Sequence, residues 1–361
     1  MIKIAIVGCG WVAGTQIETG FASLPDLFEI VACCDVDEAR MESFAAKYGI
    51  PIRRRNYRDI LALSDLDAVS ICTPPSEHHA MVRQAMAAGK HVLCEKPFTS
   101  SLALMDDVID AQTRSSARIM PIFQYRYGPG FAKARALVQS GFGGKLYTSS
   151  VETAWLRGPA YYGVPWRGKF ATELGGVLLT QSIHIHDLFL SLAGPVRDVV
   201  AFKTTRVNPI EVEDCAVAGL RMADGSLATL TATLGSAEPL TRFRLCFENL
   251  VIERECRGLD APKPALEPWR FLAKDPERQS EVDAIVGAVP DGALFFEGQF
   301  RAFHAALKSG APFDIELSDA RRSLELITAI FTAADTGIAQ RLPLDGGHAR
   351  YRGWHESGGA G

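Results

Sequence analysis

The sequence predicts a doubly wound parallel α/β sheet followed by an α+β part whose sheet is open and mostly antiparallel. Three observations carry that expectation. A short β-branched run, Ile2-Lys3-Ile4-Ala5-Ile6-Val7, leads directly into Gly8-Cys9-Gly10-Trp11-Val12-Ala13. Strand-like and helix-like stretches then alternate to about residue 125, the pattern of parallel strands joined by right-handed crossovers. Beyond Gly141-Phe142-Gly143-Gly144 the strands follow one another, with turns such as Ala223-Asp224-Gly225.

At 361 residues the chain exceeds the usual size of one domain. The expected division is 1–125, 126–345 and a Gly-rich tail, 346–361, that is a surface extension or partly disordered. A composition of 47% hydrophobic and 22% charged residues supports a large core. The formal net charge of −4 argues against a nucleic-acid-binding surface. Arg53-Arg54-Arg55 is too short to change that and reads as a solvated strand edge or loop.

The eight cysteines show no C-x-x-C spacing, and Cys33, Cys72 and Cys94 fall in expected buried strands, which suits a reducing cytoplasm. The apolar opening runs straight into the glycines, so no signal peptide is expected. No run approaches the roughly 18 apolar residues that a membrane helix needs.

The elements follow in order. Residues 11–24 read as the first helix, and Phe28–Cys34 as the second strand, ending in Asp35. Helix 37–48 is closed by Gly49, and helix 56–63 precedes strand Ala68–Cys72. Thr73-Pro74-Pro75 breaks that strand, a helix runs from Ser76 to Ala88, and Lys90–Cys94 is the next strand. Helix 100–115, strand 118–123 and helix 129–140 follow. Strands are expected at 145–155, 196–205, 213–222, 226–234, 241–247 and 249–254. Helices are expected at 176–193, 293–309 and 318–336, with the Pro-rich segment 259–276 as a long loop.

The opening motif is the G-x-G-x-x-A form of the dinucleotide fingerprint. Gly8 permits the tight turn, Gly10 lets backbone approach a pyrophosphate, and Ala13 lets the helix pack close to the strand. Trp11 and Val12 open the helix whose N-terminus faces the phosphates. Asp35 stands where an acidic side chain meets the adenosine ribose, and it would repel a 2′-phosphate, which favours NAD over NADP.

In such sheets ligands bind at the carboxyl ends of strands. Thr73-Pro74-Pro75-Ser76-Glu77-His78 falls there, which suits contact with a cofactor and equally an ordinary loop with a Pro stop and a Ser cap. Glu95-Lys96-Pro97 ends a buried strand, where two charges are costly unless something polar needs them. Lys96 can direct its ammonium at a substrate hydroxyl while Glu95 fixes the cofactor or the lysine; the alternative is a solvated pair at a strand end.

A second constellation is Gly175-Gly176-Val177-Leu178-Leu179-Thr180-Gln181-Ser182-Ile183-His184-Ile185-His186-Asp187. As a helix it sets Thr180, His184 and Asp187 on one face and turns His186 elsewhere. His184 can then accept a proton, with Asp187 as its orienting or helix-face partner; the residues fit a satisfied core histidine as well. No spacing suggests zinc, and no metal site is expected. Gln124-Tyr125-Arg126-Tyr127, Trp155-Leu156-Arg157 and the loop from Tyr161 and Tyr162 to Trp166, Arg167 and Lys169 supply aromatic faces and guanidinium forks. Such groups suit a polyhydroxylated ring, or aromatic packing alone.

These pieces in this order resemble the glucose–fructose oxidoreductase, inositol dehydrogenase and MocA-like (Gfo/Idh/MocA) family. The resemblance rests on Gly8 to Ala13, Thr73 to His78, Glu95-Lys96-Pro97, Tyr125-Arg126-Tyr127 and Gly175 to Asp187, and covers nearly the whole chain. It implies an N-terminal Rossmann domain, and an α+β domain whose open sheet forms contacts in a homodimer or homotetramer. It also implies an NAD-dependent dehydrogenase acting on a secondary alcohol of a sugar, inositol or sugar derivative.

On that resemblance Lys96 is the catalytic lysine and His184 the proton-exchanging histidine. Thr180 stands where the family often has Asp or Asn. Gly8, Gly10, Trp11, Val12, Asp35, Thr73, Pro74, His78, Glu95, Lys96 and Arg126 would hold the cofactor. Lys96, Arg126, Trp155, Arg157, Tyr162, Trp166, Arg167, Thr180 and His184 would face the substrate. Relatives that use NAD in redox-neutral glycoside cleavage or epimerisation, and ligand-sensing relatives, supply the alternative functions.

Overall fold

The computed structural model describes residues 1–354. They group into two compact units: Met1–Gln124 with Ala293–Arg321, and Tyr125–Gly292 with the chain from Arg322 onward. The continuous division at residue 125 therefore has an exception, because 293–321 belongs with the first unit.

In the first unit β1 (Ile2–Val7), β2 (Phe28–Cys34), β3 (Ile52–Arg54), β4 (Ala68–Ile71), β5 (His91–Cys94) and β6 (Ile119–Pro121) form a six-stranded sheet in the order β3-β2-β1-β4-β5-β6. Every pairing is parallel. Ile4, Ala5 and Ile6 of β1 and Ala68, Val69 and Ile71 of β4 are fully buried, hence the continuous apolar runs of a sheet covered on both faces. The order reverses between β1 and β4, which opens the carboxyl edge there to a ligand. The edge strand β3 carries Arg53 and Arg54, as an exposed edge tolerates.

Helices α1 (Trp11–Thr19), α2 (Glu38–Tyr48), α3 (Tyr57–Leu61), α4 (His78–Ala87) and α5 (Leu102–Gln112) connect these strands. Asp37, Asn56 and Ser101 cap α2, α3 and α5 with their side chains, satisfying first-turn N–H groups. The single helix expected over 11–24 is instead α1 and a separate 3-10 turn, Phe21–Ser23. Gly20 divides them, and a Cβ there would fall 2.6 Å from the Phe300 ring.

Phe300 lies on the returning helix Phe295–Ser309 and stacks on Phe21 at 4.1 Å between centroids. From the same helix the buried Gln299 donates to the Pro121 carbonyl at 2.7 Å and accepts from the Phe123 N–H at 3.1 Å. It thereby satisfies backbone groups that the edge of β6 leaves over. That is why 293–321 joins the first unit.

The second unit is built on an eight-stranded sheet of β7 (Leu146–Leu156), β8 (Val196–Thr204), β9 (Cys215–Met222), β10 (Leu227–Thr233), β11 (Gly235–Phe247), β12 (Leu250–Arg257), β13 (Arg270–Ala273) and β14 (Gln340–Arg341). Its order is β13-β12-β11-β7-β10-β9-β8-β14. The β7–β10 pair is parallel and the other pairs are antiparallel. Burial alternates along β9 and β10, the signature of one covered face. Helix Ile183–Ala193 is apolar almost all round and correspondingly buried. On the other face Val200, Phe202, Val217 and Leu227 are exposed, Phe202 at 75%.

Two expectations are corrected here. The segment 259–276 is not a plain loop: it contains β13, which pairs with β12, and the buried Trp269, whose indole N–H donates to the Pro264 carbonyl at 2.8 Å. Its prolines hid the strand, since Pro argues against a strand interior. Nor is the whole tail from 346 a loose extension. Trp354 is buried, stacks on Phe331 at 5.2 Å and donates its N–H to the Leu174 carbonyl at 2.7 Å. The remainder of the tail, 355–361, lies outside the described residues.

Candidate active site

In the first unit the chain turns from β1 into α1 through Gly8, at φ +91°, where a Cβ would fall 2.8 Å from the backbone of Cys72. Only glycine fits this close approach of β1 to the end of β4. Gly10 is the N-cap of α1; no side chain caps this end, the first turn holds no acid, and nothing lies within 4 Å of a Cβ placed on Gly10. An open helix N-terminus of this kind receives a pyrophosphate. Trp11 is exposed and Ala13 fully buried against the sheet.

Asp35 follows β2 and is buried. One carboxylate oxygen accepts the Cys9 N–H at 2.9 Å and the other the Asp37 N–H at 2.9 Å. The side chain thus binds the glycine turn to the end of β2. Arg40 lies 3.5 Å from the same carboxylate.

At the end of β5, Glu95 is buried and accepts from the Gln16 amide at 2.8 Å, while Gln16 accepts from the Ser70 hydroxyl at 2.6 Å. Its second oxygen accepts the Lys96 N–H at 3.3 Å. Burial holds its carboxyl above the usual range, opposed by the Lys96 charge and these hydrogen bonds. Glu95 therefore anchors α1 and the backbone of Lys96. Lys96 itself is half-buried and precedes a cis Pro97.

His78, expected at the cofactor, is fully buried as the first residue of α4. Its ring nitrogens reach the Pro97 carbonyl at 2.8 Å and the Thr73 carbonyl at 2.9 Å. Both polar atoms are committed to backbone, so His78 ties the Thr73-Pro74 loop to the Lys96-Pro97 loop instead of facing a ligand. Burial pushes its pKa down against the pull of the two carbonyls.

In the second unit the segment expected as one helix over 176–193 begins as a π-helical turn, Val177–Gln181, and continues as helix Ile183–Ala193. Glu213 organises that turn. Its carboxylate accepts the Gly176 N–H at 2.9 Å and the Leu178 N–H at 3.0 Å, and its carbonyl accepts the Val177 N–H at 2.8 Å. A Cβ on Gly176 would fall 1.7 Å from the Glu213 carbonyl oxygen, so glycine is required. Burial pushes the Glu213 carboxyl up to about 7.

Thr180 donates its hydroxyl to the Gly176 carbonyl at 2.8 Å. His184 is buried, and its ring stacks on Tyr125 at 4.5 Å. Asp187, expected as the orienting or helix-face partner of His184, accepts from Arg126 Nη2 at 2.6 Å and Nε at 2.7 Å. That fork also engages the Arg126 groups expected to hold cofactor or substrate. His186 is fully buried and burial lowers its pKa to about 4, so it stays neutral.

Trp155, expected to face a substrate, is a core residue whose indole N–H donates to the Thr241 hydroxyl at 2.9 Å. The neighbouring groups do come together. Arg157 donates to the Gln181 amide oxygen at 3.1 Å, and the Gln181 amide donates to the Tyr161 hydroxyl at 2.6 Å. The Arg167 guanidinium lies over the rings of Tyr161, at 3.8 Å, and Trp166, at 4.4 Å, while Tyr162 meets Tyr161 edge-on at 5.0 Å. Gln181 and Glu213 were given no role from sequence, and Tyr161 was read only as part of the aromatic loop. Gln181 stood inside the recognised motif, whereas Glu213 is 37 residues from its partner Gly176 and left no signal.

Residues 2–123 match the model of the oxidoreductase family with an NAD-binding Rossmann fold, and residues 131–253 match the GFO/IDH/MocA C-terminal domain. The chain belongs to the GFO/IDH/MocA family. Its Rossmann unit is the family's NAD-binding domain, and Gly8, Gly10 and Asp35 are a cradle that fits that cofactor.

Among sequence relatives, the oxidoreductase YrbE of Bacillus subtilis is 28% identical over 63% of this chain and 66% of its own length. Myo-inositol 2-dehydrogenase of Thermotoga maritima is 26% identical over 63% of this chain and 67% of its own. The chain thus spans about two thirds of the length of these GFO/IDH/MocA relatives, and just under that for the first. Among solved structures, the WlbA dehydrogenase of Bordetella pertussis, in complex with NADH and UDP-GlcNAcA, is 25% identical with a TM-score of 0.84, covering 95% of this chain and 98% of that one.

Proposed function

We propose that this GFO/IDH/MocA protein is an NAD-dependent dehydrogenase that oxidises a secondary alcohol of a sugar, inositol or sugar derivative. The observation that carries the reading is the buried Asp35 carboxylate, locked by Cys9 and Asp37 beside the open backbone of Gly10. A carboxylate in that place accepts from ribose hydroxyls and repels a 2′-phosphate, which favours NAD over NADP. Bound NAD supplies the hydride acceptor.

Lys96 holds the reacting hydroxyl through its ammonium and stabilises negative charge that develops on the oxygen. His184 accepts the hydroxyl proton, its ring plane fixed by the stack on Tyr125. Thr180 accepts a hydrogen bond from a substrate hydroxyl, since its own proton is directed to Gly176. Arg157, Tyr162, Trp166 and Arg167 supply the aromatic and guanidinium surface for the ring. The uncovered sheet face with Phe202 and Val217 supports association of two or more copies, and the eight free cysteines support a reducing, cytoplasmic setting.

The test is nicotinamide absorbance on mixing the protein with NAD, or NADP, and a panel of inositols, pyranoses, anhydrosugars and uronic acids. Reduction of NAD by one class supports the reading. Silence across the panel from protein that carries NAD through purification would favour redox-neutral chemistry instead.

A further inference from the structure

We propose that Arg157 is the anchor of an anion-binding subsite, so that the substrate is a polyol carrying a carboxylate or phosphate group. The inference rests on the dehydrogenase reading and deepens it. Arg157 follows β7 and is half-buried. Its hydrogen bonds go to the Leu156 carbonyl at 2.9 Å and the Gln181 amide oxygen at 3.1 Å, both neutral. Among the described residues no carboxylate lies within ion-pair distance of it. Arg126 and Arg167 differ: they face Asp187 and Glu173.

A half-buried guanidinium with no counter-charge is costly, and here two neutral acceptors and aromatic faces offset it. Trp155 and Tyr161 stand 5.4 Å and 5.3 Å from the Arg157 guanidinium carbon. Tyr161 is no counter-charge itself, because burial raises its phenol pKa and keeps it neutral. A second guanidinium, Arg167, lies over the same ring at 3.8 Å. Its partner Glu173 is also engaged, accepting the Gly168 N–H at 2.5 Å. Arg167 is thus paired with Glu173, whereas Arg157 beside the same ring has no carboxylate within ion-pair distance among the described residues.

Within its own unit that charge is held next to the segment of Thr180 and His184. Gln181, which holds Arg157, directly follows Thr180 and precedes His184 by three positions. The Arg157 charge also acts on the phenol of Tyr125, the ring stacked on His184. Arg157 has N–H donors left over from its two bonds, and a planar fork of donors matches a carboxylate or a phosphate monoester two bonds at a time. The acidic group would sit on a substrate atom other than the reacting carbinol, held by Arg157 and flanked by Arg167 and the Tyr161 hydroxyl. No covalent step is involved.

The experiment compares matched sets: a neutral pyranoside, its uronate and its phosphate ester, in turnover and in calorimetric binding to the NAD-loaded protein. At least one acidic member should exceed its neutral counterpart by about tenfold or more in kcat/KM or affinity, the worth of a charged hydrogen bond. Whether uronate or phosphate gains identifies the anionic group. Arg157→Gln should reduce that advantage to near unity, acting mainly on KM, while Arg157→Lys restores part of it and melting temperature reports folding. Equal binding of neutral and acidic members overturns the proposal, as does an acid preference that survives Arg157→Gln. Acid-selective binding without nicotinamide reduction would keep the subsite and reject the dehydrogenase reading.

Discussion

Arg126 and Asp187 form a buried two-point ion pair, with Nη2 to Oδ1 at 2.6 Å and Nε to Oδ2 at 2.7 Å. The pair joins the segment that carries Tyr125 to the helix that carries His184. Because Tyr125 stacks on His184, the ion pair also steadies the histidine through its neighbour. Asp187→Asn leaves a buried guanidinium with half its partner, and stability in denaturant should fall by about 3–5 kcal/mol. A variant that keeps wild-type stability while the pH profile of turnover shifts would instead favour Asp187 as a direct partner of His184.

Glu213 makes stability depend on pH in a defined direction. Burial raises its folded-state pKa from 4.5 to about 7, so folding favours the protonated form. Its contribution is fully present below the unfolded value and is lost as pH rises through about 7. The stability gap between wild type and Glu213→Gln should therefore be widest at about pH 5 and narrow toward about pH 8. Denaturant midpoints at both pH values check this; a gap that widens with pH contradicts the assignment.

On the proposed function, Asp35 sets the choice between dinucleotides. In Asp35→Ser the carboxylate that repels a 2′-phosphate is gone, and Arg40, now 3.5 Å from it, is released to bind that phosphate. The ratio of kcat/KM for NAD over NADP should fall by about tenfold or more. An unchanged ratio would place discrimination elsewhere.

The parts that could be read from sequence are those in which signal and structure are local. Gly8, Gly10 and Asp35 sit within one β1-α1-β2 unit, and the alternation of strand and helix marks the parallel sheet. The helix over 176–193 was legible from its apolar run, but not its opening π turn, which depends on Glu213 arriving from 37 residues away. In the same way Asp187 looks like a partner for His184 three positions earlier, and only the fold brings Arg126 to it across 61 residues. Trp155 reads as a free aromatic face until Thr241, 86 residues on, takes its N–H in the core. Prolines concealed β13, and the return of 293–321 to the first unit needs Gln299 to meet the edge of β6. Pairing across long sequence separations is what periodicity and spacing do not encode.

On the proposed function, Lys96 acts on the substrate and the fingerprint residues act on NAD. The most direct measurement is steady-state turnover of Lys96→Ala set beside its NAD affinity by fluorescence titration. Lys96→Ala should lose about 100-fold or more in kcat, the scale of a positioned acid–base or electrostatic group, with NAD affinity retained. Loss of affinity in proportion to the loss of turnover would contradict it and make Lys96 a cofactor ligand instead.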